Sequence, residues 1–463
     1  MSVLLTHGYF LSEDAKEQAI MRPYPPLGIL YISAYLEKHC IDHEIFDTTF
    51  STKEDLKKHL IKIQPKVIGL YVNLMTRVTI LEIILFLKTN IPSCHILLGG
   101  PEVRHHAENF LAHGADYLVM GEGEESMLEL IQALGSPGSD MSMIRGIAFL
   151  KFDKFIQTAE REKVKDLDQL PAPNRKKINL QRYLDAWKAF HGSNAISVST
   201  MRGCPYTCKW CSRAVYGLSY RRRSPEKVVE ELVSIQREYH PDALWFVDDV
   251  FTISHKWLTG FQQELKKKNF QIPYECITRA DRLNEEVISI LKDTGCFRVW
   301  IGAESGSQKV IDLMDRRVNV TQVREMIKLS KKHGIQAGTF IMLGYPGETE
   351  ADIEETIRHL KDSDPDYFTI TLAYPIKGTE LYQEVEGLQI NAPDWKQSSD
   401  REIDFVRTYP RRYYDFAIQH VVNEVNFHKS IKGKASFTTL KLKINSLRAK
   451  AGMRWHRKRS TCK

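Results

Sequence analysis

Residues 203–212 read GCPYTCKWCS and set Cys204, Cys208 and Cys211 within eight positions. Cys276 and Cys296, the next two, lie too far along the chain to share that loop. A closed structural zinc site takes four ligands. Three thiolates in one loop point instead to a metal centre left open at one position. A zinc site completed by His191 or by a remote ligand, and three unrelated cysteines, are the other readings of these residues alone.

The loop follows an apolar run, AISVST at 195–200, and opens a series of alternating elements. Runs such as ALWFVDD (243–249), YECITRA (274–280), RVWIGAES (298–305), AGTFIMLG (337–344) and YFTITLAYP (367–375) alternate with amphipathic stretches. One stretch, SPEKVVEEL, carries helix-start signals: Ser224 as N-cap, Pro225 at the first position and acids in the first turn. The pattern predicts six β–α units, fewer than the eight of a closed barrel. Cys204, Asp248, Arg279, Glu304, the GYPGE loop and Lys377 fall at strand ends, where barrel enzymes place their chemistry.

Upstream, residues 1–140 alternate short apolar runs with helices of about ten residues, which predicts a parallel, doubly wound α/β sheet. Ligands of such sheets bind beyond the carboxyl ends of the strands. Gly99, Gly100, Gly121 and Gly123 sit there, where glycine lets a ligand approach the backbone; ordinary turns would also take them. Residues 141–190 read as a linker with a small hairpin around KFDK and a proline-punctuated DLDQLPAPNR. The partial barrel spans 191–400, and a mainly helical region with a basic tail spans 401–463.

The chain has 463 residues and a net charge of +7, enough for roughly three domains. No run of about eighteen apolar residues is present, so no membrane span is expected. MSVLLTHGYF has no basic n-region and reads as a buried first strand. Eight cysteines are too few for a disulfide scaffold, which predicts a reducing cytoplasm. The segment from Leu440 onward holds nine Lys or Arg and no acid. It reads as a solvated tail, or as a docking surface for an acidic partner, with nucleic acid or a membrane surface as further possibilities.

The C-x3-C-x2-C loop, with Trp210 before its last cysteine, resembles that of the radical SAM superfamily. The resemblance implies a [4Fe–4S] cluster on Cys204, Cys208 and Cys211, with the open iron holding S-adenosylmethionine (SAM) and cleaving it to a 5′-deoxyadenosyl radical. It implies Asp248 or Asp249 near the methionine amino group, Arg279 on its carboxylate, Glu304 or Ser305 on the ribose, and Gly344 and Trp210 beside the adenine. A capping aspartate, a structural salt bridge and plain packing are the alternatives for Asp248, Arg279 and Trp210. RPYPPLGILYISAYLE, VIGLYVN, LLGGPEVRHHAENFL, DYLVMGEGE and YRRRSP, in this order, resemble the subgroup with a cobalamin-binding domain. That implies cobalamin against Pro26, Leu27, Gly28, Asn73, Gly99, Gly100, Gly121, Gly123 and Glu124. The D-x-H-x-x-G pattern that places histidine under cobalt is missing: around His7, Leu5 and Phe10 replace the Asp and Gly. The lower face is then left to the loop Asn73–Arg77. The subgroup resemblance implies radical methylation of an unactivated carbon in a small molecule, with a flavodoxin- or ferredoxin-type electron donor. Radical cyclisation or rearrangement, as in anaerobic tetrapyrrole ring-forming relatives, is the alternative. A cobalamin-binding sensor without catalysis is a third.

Overall fold

The structure is a computed structural model and describes residues 2–391, 394–431 and 437–457. The chain divides into two compact units.

In the first unit seven strands form one sheet: β1 (Val3–His7), β2 (Glu44–Phe46), β3 (Val67–Tyr71), β4 (His95–Gly99), β5 (Tyr117–Val119), β6 (Ile147–Lys151) and β7 (Lys154–Gln157). Their order is β2-β1-β3-β4-β5-β6-β7. The first five pair in parallel, and β6 and β7 are antiparallel additions. The hairpin around KFDK is therefore the edge of this sheet. Side-chain alternation divides the core in two. Leu4, Ile68, Leu70, Leu98 and Leu118 face the helices Lys53–Ile63 and Arg77–Asn90. Val3, Leu5, Val67, Leu97 and Val119 face Leu27–Lys38 and Glu124–Leu134. Each such buried Leu or Val is worth about 1.5–3 kcal/mol.

Trp395, Ser398 and Asp400 return to this unit. Buried Arg77 holds them: it pairs with Glu102 at 2.9 Å and Asp400 at 3.0 Å, and donates to the Ser398 carbonyl at 2.5 Å. Removing one partner of such a buried pair costs about 3–5 kcal/mol.

After β8 (Ala195–Val198) and the short antiparallel pair β9 (Met201–Arg202) and β10 (Arg221–Arg222) come β11 (Ala243–Phe246), β12 (Tyr274–Thr278), β13 (Cys296–Glu304), β14 (Gln336–Leu343) and β15 (Tyr367–Leu372). The sheet order is β15-β14-β13-β12-β11-β8, with β11 to β15 paired in parallel. Six strands with two ends form an incomplete barrel. Ser224 caps the helix Pro225–Tyr239 through a bond from Lys227 N, as its sequence predicts.

The helices Arg411–Ile431 and Phe437–His456 pack on each other in the second unit. Over its described part the basic segment is helical from Leu440 to His456, with Thr439, Ser446, Ala449 and Met453 buried and Lys441, Arg448 and Arg454 exposed. Lys443 pairs with Glu424 at 3.0 Å, Lys450 pairs with Glu354, and Arg457 pairs with Glu350 at 3.3 Å. Residues 458–463, with Cys462, lie outside the described residues. Among the described residues no helix is long and apolar enough to cross a membrane.

Candidate functional site

In the first unit the carboxyl ends of β3, β4 and β5 open onto a cavity of about 270 Å³. Its floor is apolar, with Leu5, Leu97 and Met127, and its mouth is glycine. Gly100 has φ +117°, and a Cβ there would sit 2.3 Å from the Val72 carbonyl oxygen. Gly123 precedes the helix Glu124–Leu134, and its Cβ would stand 3.0 Å from Ile32 Cδ1.

Charged and phenolic groups stand at the same cavity. Arg202 pairs with Glu124 and lies 3.7 Å from Glu122. Its guanidinium lies 5.3 Å from the Tyr31 ring and 5.4 Å from the Tyr216 ring. Burial pushes the Tyr31 and Tyr216 hydroxyls up, and that of Tyr71 to about 12. All three phenols stay neutral.

Of the residues named from sequence, Gly28, Gly99, Gly100, Gly121, Gly123 and Glu124 line this space; Pro26, Leu27 and Asn73 do not. Pro26 precedes the helix Leu27–Lys38, and Leu27 packs against its core. Asn73 Oδ1 accepts from Met75 N at 2.9 Å and Thr76 N at 3.1 Å. Arg77, in the same loop, is held by Glu102 and Asp400. Tyr31, Tyr71, Arg202 and Tyr216 escape the sequence reading. Tyr31 and Tyr71 sit in quoted motifs, and Arg202 and Tyr216 carry no local signal.

The three cysteines lie in the loop between β9 and β10. Gly203 enters it at φ +84°, where a Cβ would meet the Ser219 carbonyl oxygen at 2.6 Å. Cys204 bridges to Leu218. Lys209 donates from N to the Met314 carbonyl at 3.1 Å and accepts from Leu381 N at 2.9 Å. Among the described residues no three His, Cys, Asp or Glu side chains form a ready metal site. The chemistry around Cys208 does fit a thiolate ligand. Its buried Sγ accepts from Arg316 Nη1 at 3.5 Å and Arg279 Nη1 at 3.8 Å, and charged donors bond strongly to an anionic sulfur ligand.

Arg279, which the resemblance sets on the SAM carboxylate, is held by several groups of the chain. Its Nε donates to Asp281 at 2.8 Å, its Nη2 donates to the Arg316 carbonyl at 2.8 Å, and its guanidinium stacks 3.8 Å from the Tyr206 ring. Trp210 packs on the cluster of Val310, Met314, Tyr345, Leu381 and Phe405. Asp248 is buried beyond β11. Asp249 reaches solvent, yet surrounding protein and then the Asp248 charge push its carboxyl up.

Glu304 ends β13 at φ +64°, where the register with β14 shifts. Non-glycine residues held there mark strain, which concentrates at functional sites. Burial raises its carboxyl, opposed first by Arg316 at 3.7 Å and then by Arg279. Ser305 Oγ lies 3.2 Å from Thr356 Oγ1 and accepts from Ser307 N at 3.1 Å. Gly344 turns at φ +76°, and its N donates to Glu348 Oε2 at 2.5 Å. Glu348 is fully buried, and burial lifts its carboxyl to about 8. Glu348 closes the GYPGE loop named from sequence, whereas Arg316 was not singled out and neither spacing nor charge pattern marks it.

A doubly wound, glycine-mouthed cofactor domain ahead of a cysteine-loop half-barrel defines a two-cofactor enzyme class. The B12 binding domain matches residues 20–131, and the radical SAM superfamily matches residues 198–360. An uncharacterised methyltransferase of Pyrococcus horikoshii is 30% identical over 380 residues, 80% of this chain and 81% of its own. The hopanoid C-3 methylase of Methylococcus capsulatus is 25% identical over 382 residues, 80% and 70% of the two chains. The anaerobic magnesium-protoporphyrin IX monomethyl ester cyclase of Rubrivivax gelatinosus is 25% identical over 400 residues, 83% and 70%. The fold is also that of the radical SAM methyltransferase TsrM from Kitasatospora setae, solved with cobalamin and a [4Fe–4S] cluster: TM-score 0.73, 15% identity, covering 97% of this chain and 99% of that one. The chain belongs to the radical SAM superfamily, in the group that carries a cobalamin-binding domain. Its cofactors are a [4Fe–4S] cluster, S-adenosylmethionine and cobalamin.

Proposed function

We propose that this enzyme methylates an unactivated carbon of a small-molecule substrate by radical chemistry. The observation that carries the reading is one chain with both a glycine-mouthed cavity on a doubly wound sheet and a three-cysteine loop with cationic donors. When bound, SAM and the cluster supply a hydrogen-abstracting radical and cobalamin supplies a methyl group. In this reading residues 1–140 carry cobalamin, 141–190 connect, 191–400 carry the cluster and SAM, and 401–463 border the substrate.

Each residue then has a task. Cys204, Cys208 and Cys211 hold three irons. Gly28, Gly99, Gly100, Gly121 and Gly123 admit cobalamin close to the backbone, and the Arg202–Glu124 pair fixes the cavity mouth. Asp248 and Asp249 orient the SAM amino group, Glu304 and Ser305 the ribose, and Gly344 and Trp210 the adenine. Arg279 is left to the sulfur of Cys208. A flavodoxin- or ferredoxin-type donor supplies electrons. The apolar floor excludes water, which a carbon radical requires.

The test is anaerobic turnover with methyl-deuterated SAM and a metabolite extract. A product three mass units heavier than its unlabelled methylated form is expected. An unlabelled, cyclised product that has lost hydrogen would favour the reaction class of the cyclase relatives and overturn methyl transfer. The Cys204→Ala, Cys208→Ala, Cys211→Ala triple variant should lose iron and deoxyadenosine formation together. Retained reductive SAM cleavage would remove the cysteines from this role.

A further inference from the structure

The helix Phe437–His456 shows its apolar side to solvent. Phe437, Leu440, Ile444, Leu447 and Trp455 are exposed, from 40% for Ile444 to 84% for Phe437. Their spacings of three, four, three and eight residues place them on one stripe of an α-helix, with exposed Ala451 filling the gap. The buried side carries Thr439, Ser446, Ala449 and Met453, small or polar apart from the methionine. Ser446 Oγ donates to Glu424 at 2.7 Å, and a Cβ on Gly452 would meet Phe416 at 2.5 Å. A helix that packs through Ser, Ala and Gly and exposes Leu, Ile, Phe and Trp is inverted relative to an ordinary surface helix.

Charge borders the stripe. Residues 437–457 hold six Lys or Arg and no Asp or Glu. At 100° per residue, Lys441 and Arg448 fall along one edge, Lys443 and Arg454 along the other. Lys441, Arg448 and Arg454 are exposed, while Lys443 is shared with Glu424.

We infer that this helix lies flat on an anionic lipid bilayer, its apolar stripe sunk to the acyl boundary and its flanking cations among the headgroups. An apolar stripe of about 30 Å needs an apolar cover. Its acid-free borders need an anionic one. A second copy of the chain offers the first and opposes the second, because two such helices bring like charges together. The helix does not span, being too polar to cross a membrane. Aromatic and aliphatic residues on one side with Lys and Arg beside them is the pattern of helices that lie in the interface plane.

The test is co-flotation of the full reconstituted enzyme with vesicles of phosphatidylcholine, alone or with phosphatidylglycerol added. Binding is expected to the anionic vesicles only, and salt should release it. Leu440→Ser, Leu447→Ser and Trp455→Ser together should weaken partitioning at least about tenfold. Circular dichroism, iron and cobalamin content should not change, since the three side chains face solvent. Lys441→Glu with Arg448→Glu should weaken it and flatten the salt dependence. Wild-type indifference to anionic vesicles, or wild-type binding by both variants, overturns the inference. It is also overturned if the stripe variant instead dissociates a dimer in sedimentation velocity, or a complex with an acidic flavodoxin formed without lipid.

Discussion

Arg316 Nη1 lies 3.5 Å from Cys208 Sγ and donates to it, deep in the second unit. The same guanidinium donates from Nη2 to the Gly302 carbonyl at 3.1 Å and lies 5.8 Å from the Trp210 ring. A buried cation needs an anion nearby. Arg279 has Asp281 at 2.8 Å, but Glu304 stands 3.7 Å from Arg316 and burial drives its carboxyl toward the neutral form. Arg316 is thus held between the Glu304 carboxyl, its leading electrostatic partner, and the sulfur of Cys208.

Hydrogen bonds and positive charge at cluster sulfurs favour the reduced, more negative state. With Cys208 as a cluster ligand, Arg316→Gln should retain iron but lower the reduction potential. At a fixed potential the ratio of reduced to oxidised cluster should fall about tenfold, ~59 mV for one electron. Arg316→Lys should restore part of it. Potentiometry followed by electron paramagnetic resonance reads this directly. An unchanged potential in the Gln variant with full iron content would mean that Arg316 only packs.

Glu348 gives a prediction in pH. Its carboxyl is fully buried, raised by burial to about 8 and opposed by the Gly344 N–H. Unfolded, it titrates near 4.5. The native state holds this proton where the unfolded chain releases it, so its contribution to stability is complete below about pH 4.5. It should be lost progressively as pH rises from there to about 8, by an amount on the order of a few kcal/mol. Glu348→Gln keeps a neutral acceptor for Gly344 N. Its urea midpoint should fall less with pH than that of the wild type. Parallel curves would show Glu348 ionised in the fold.

Much of this architecture is readable from the chain because alternation and punctuation act locally. The parallel sheet follows from apolar runs separated by amphipathic helices, and the glycine positions from where those runs end. Arg316 was not readable: it meets Cys208 across 108 residues, and nothing beside it marks the meeting. Arg202 likewise reaches Glu124 across 78 residues. Arg279 was legible as a strand-end residue, but its contact with the Cys208 sulfur, 71 residues away, was not. Asn73 was read as a ligand contact, but an asparagine in a loop equally closes a turn of its own backbone, as it does onto Met75 N and Thr76 N. The C-terminal helix was read by charge alone, and its outward apolar stripe appears only once its buried side is known.

Gly100 tests the cavity. At φ +117° a side chain is strained, and a Cβ would stand 2.3 Å from the Val72 carbonyl, a backbone atom that cannot move aside. Gly100→Ala should cost about 1–3 kcal/mol of stability and weaken cobalamin binding, with iron content unchanged. Gly138 has φ +83° but nothing within 4 Å of a Cβ. Gly138→Ala should share the backbone strain and bind cobalamin normally. Equal loss of cobalamin in both variants would make the effect one of general stability.

The last prediction concerns the lower face of cobalt. His7 ends β1 but is fully engaged: Nε2 lies 3.0 Å from Asp47 Oδ1 and Nδ1 lies 2.9 Å from Thr48 Oγ1. Tyr183 donates to the other Asp47 oxygen at 2.7 Å and, with His7, holds that carboxyl below its usual range despite burial. Releasing His7 would leave a buried carboxylate short of donors, a cost of about 1–3 kcal/mol. Asn73 is likewise spent on the turn before Arg77. Were cobalamin to bind with its own base in the cavity, neither this loop nor His7 would offer the metal a free nitrogen donor. The bound Co(II) state should then show cobalt hyperfine lines without nitrogen superhyperfine splitting. His7→Gln should leave that spectrum unchanged while lowering thermal stability. Triplet splitting that disappears in the His7 variant would make His7 the ligand and break this account of the site.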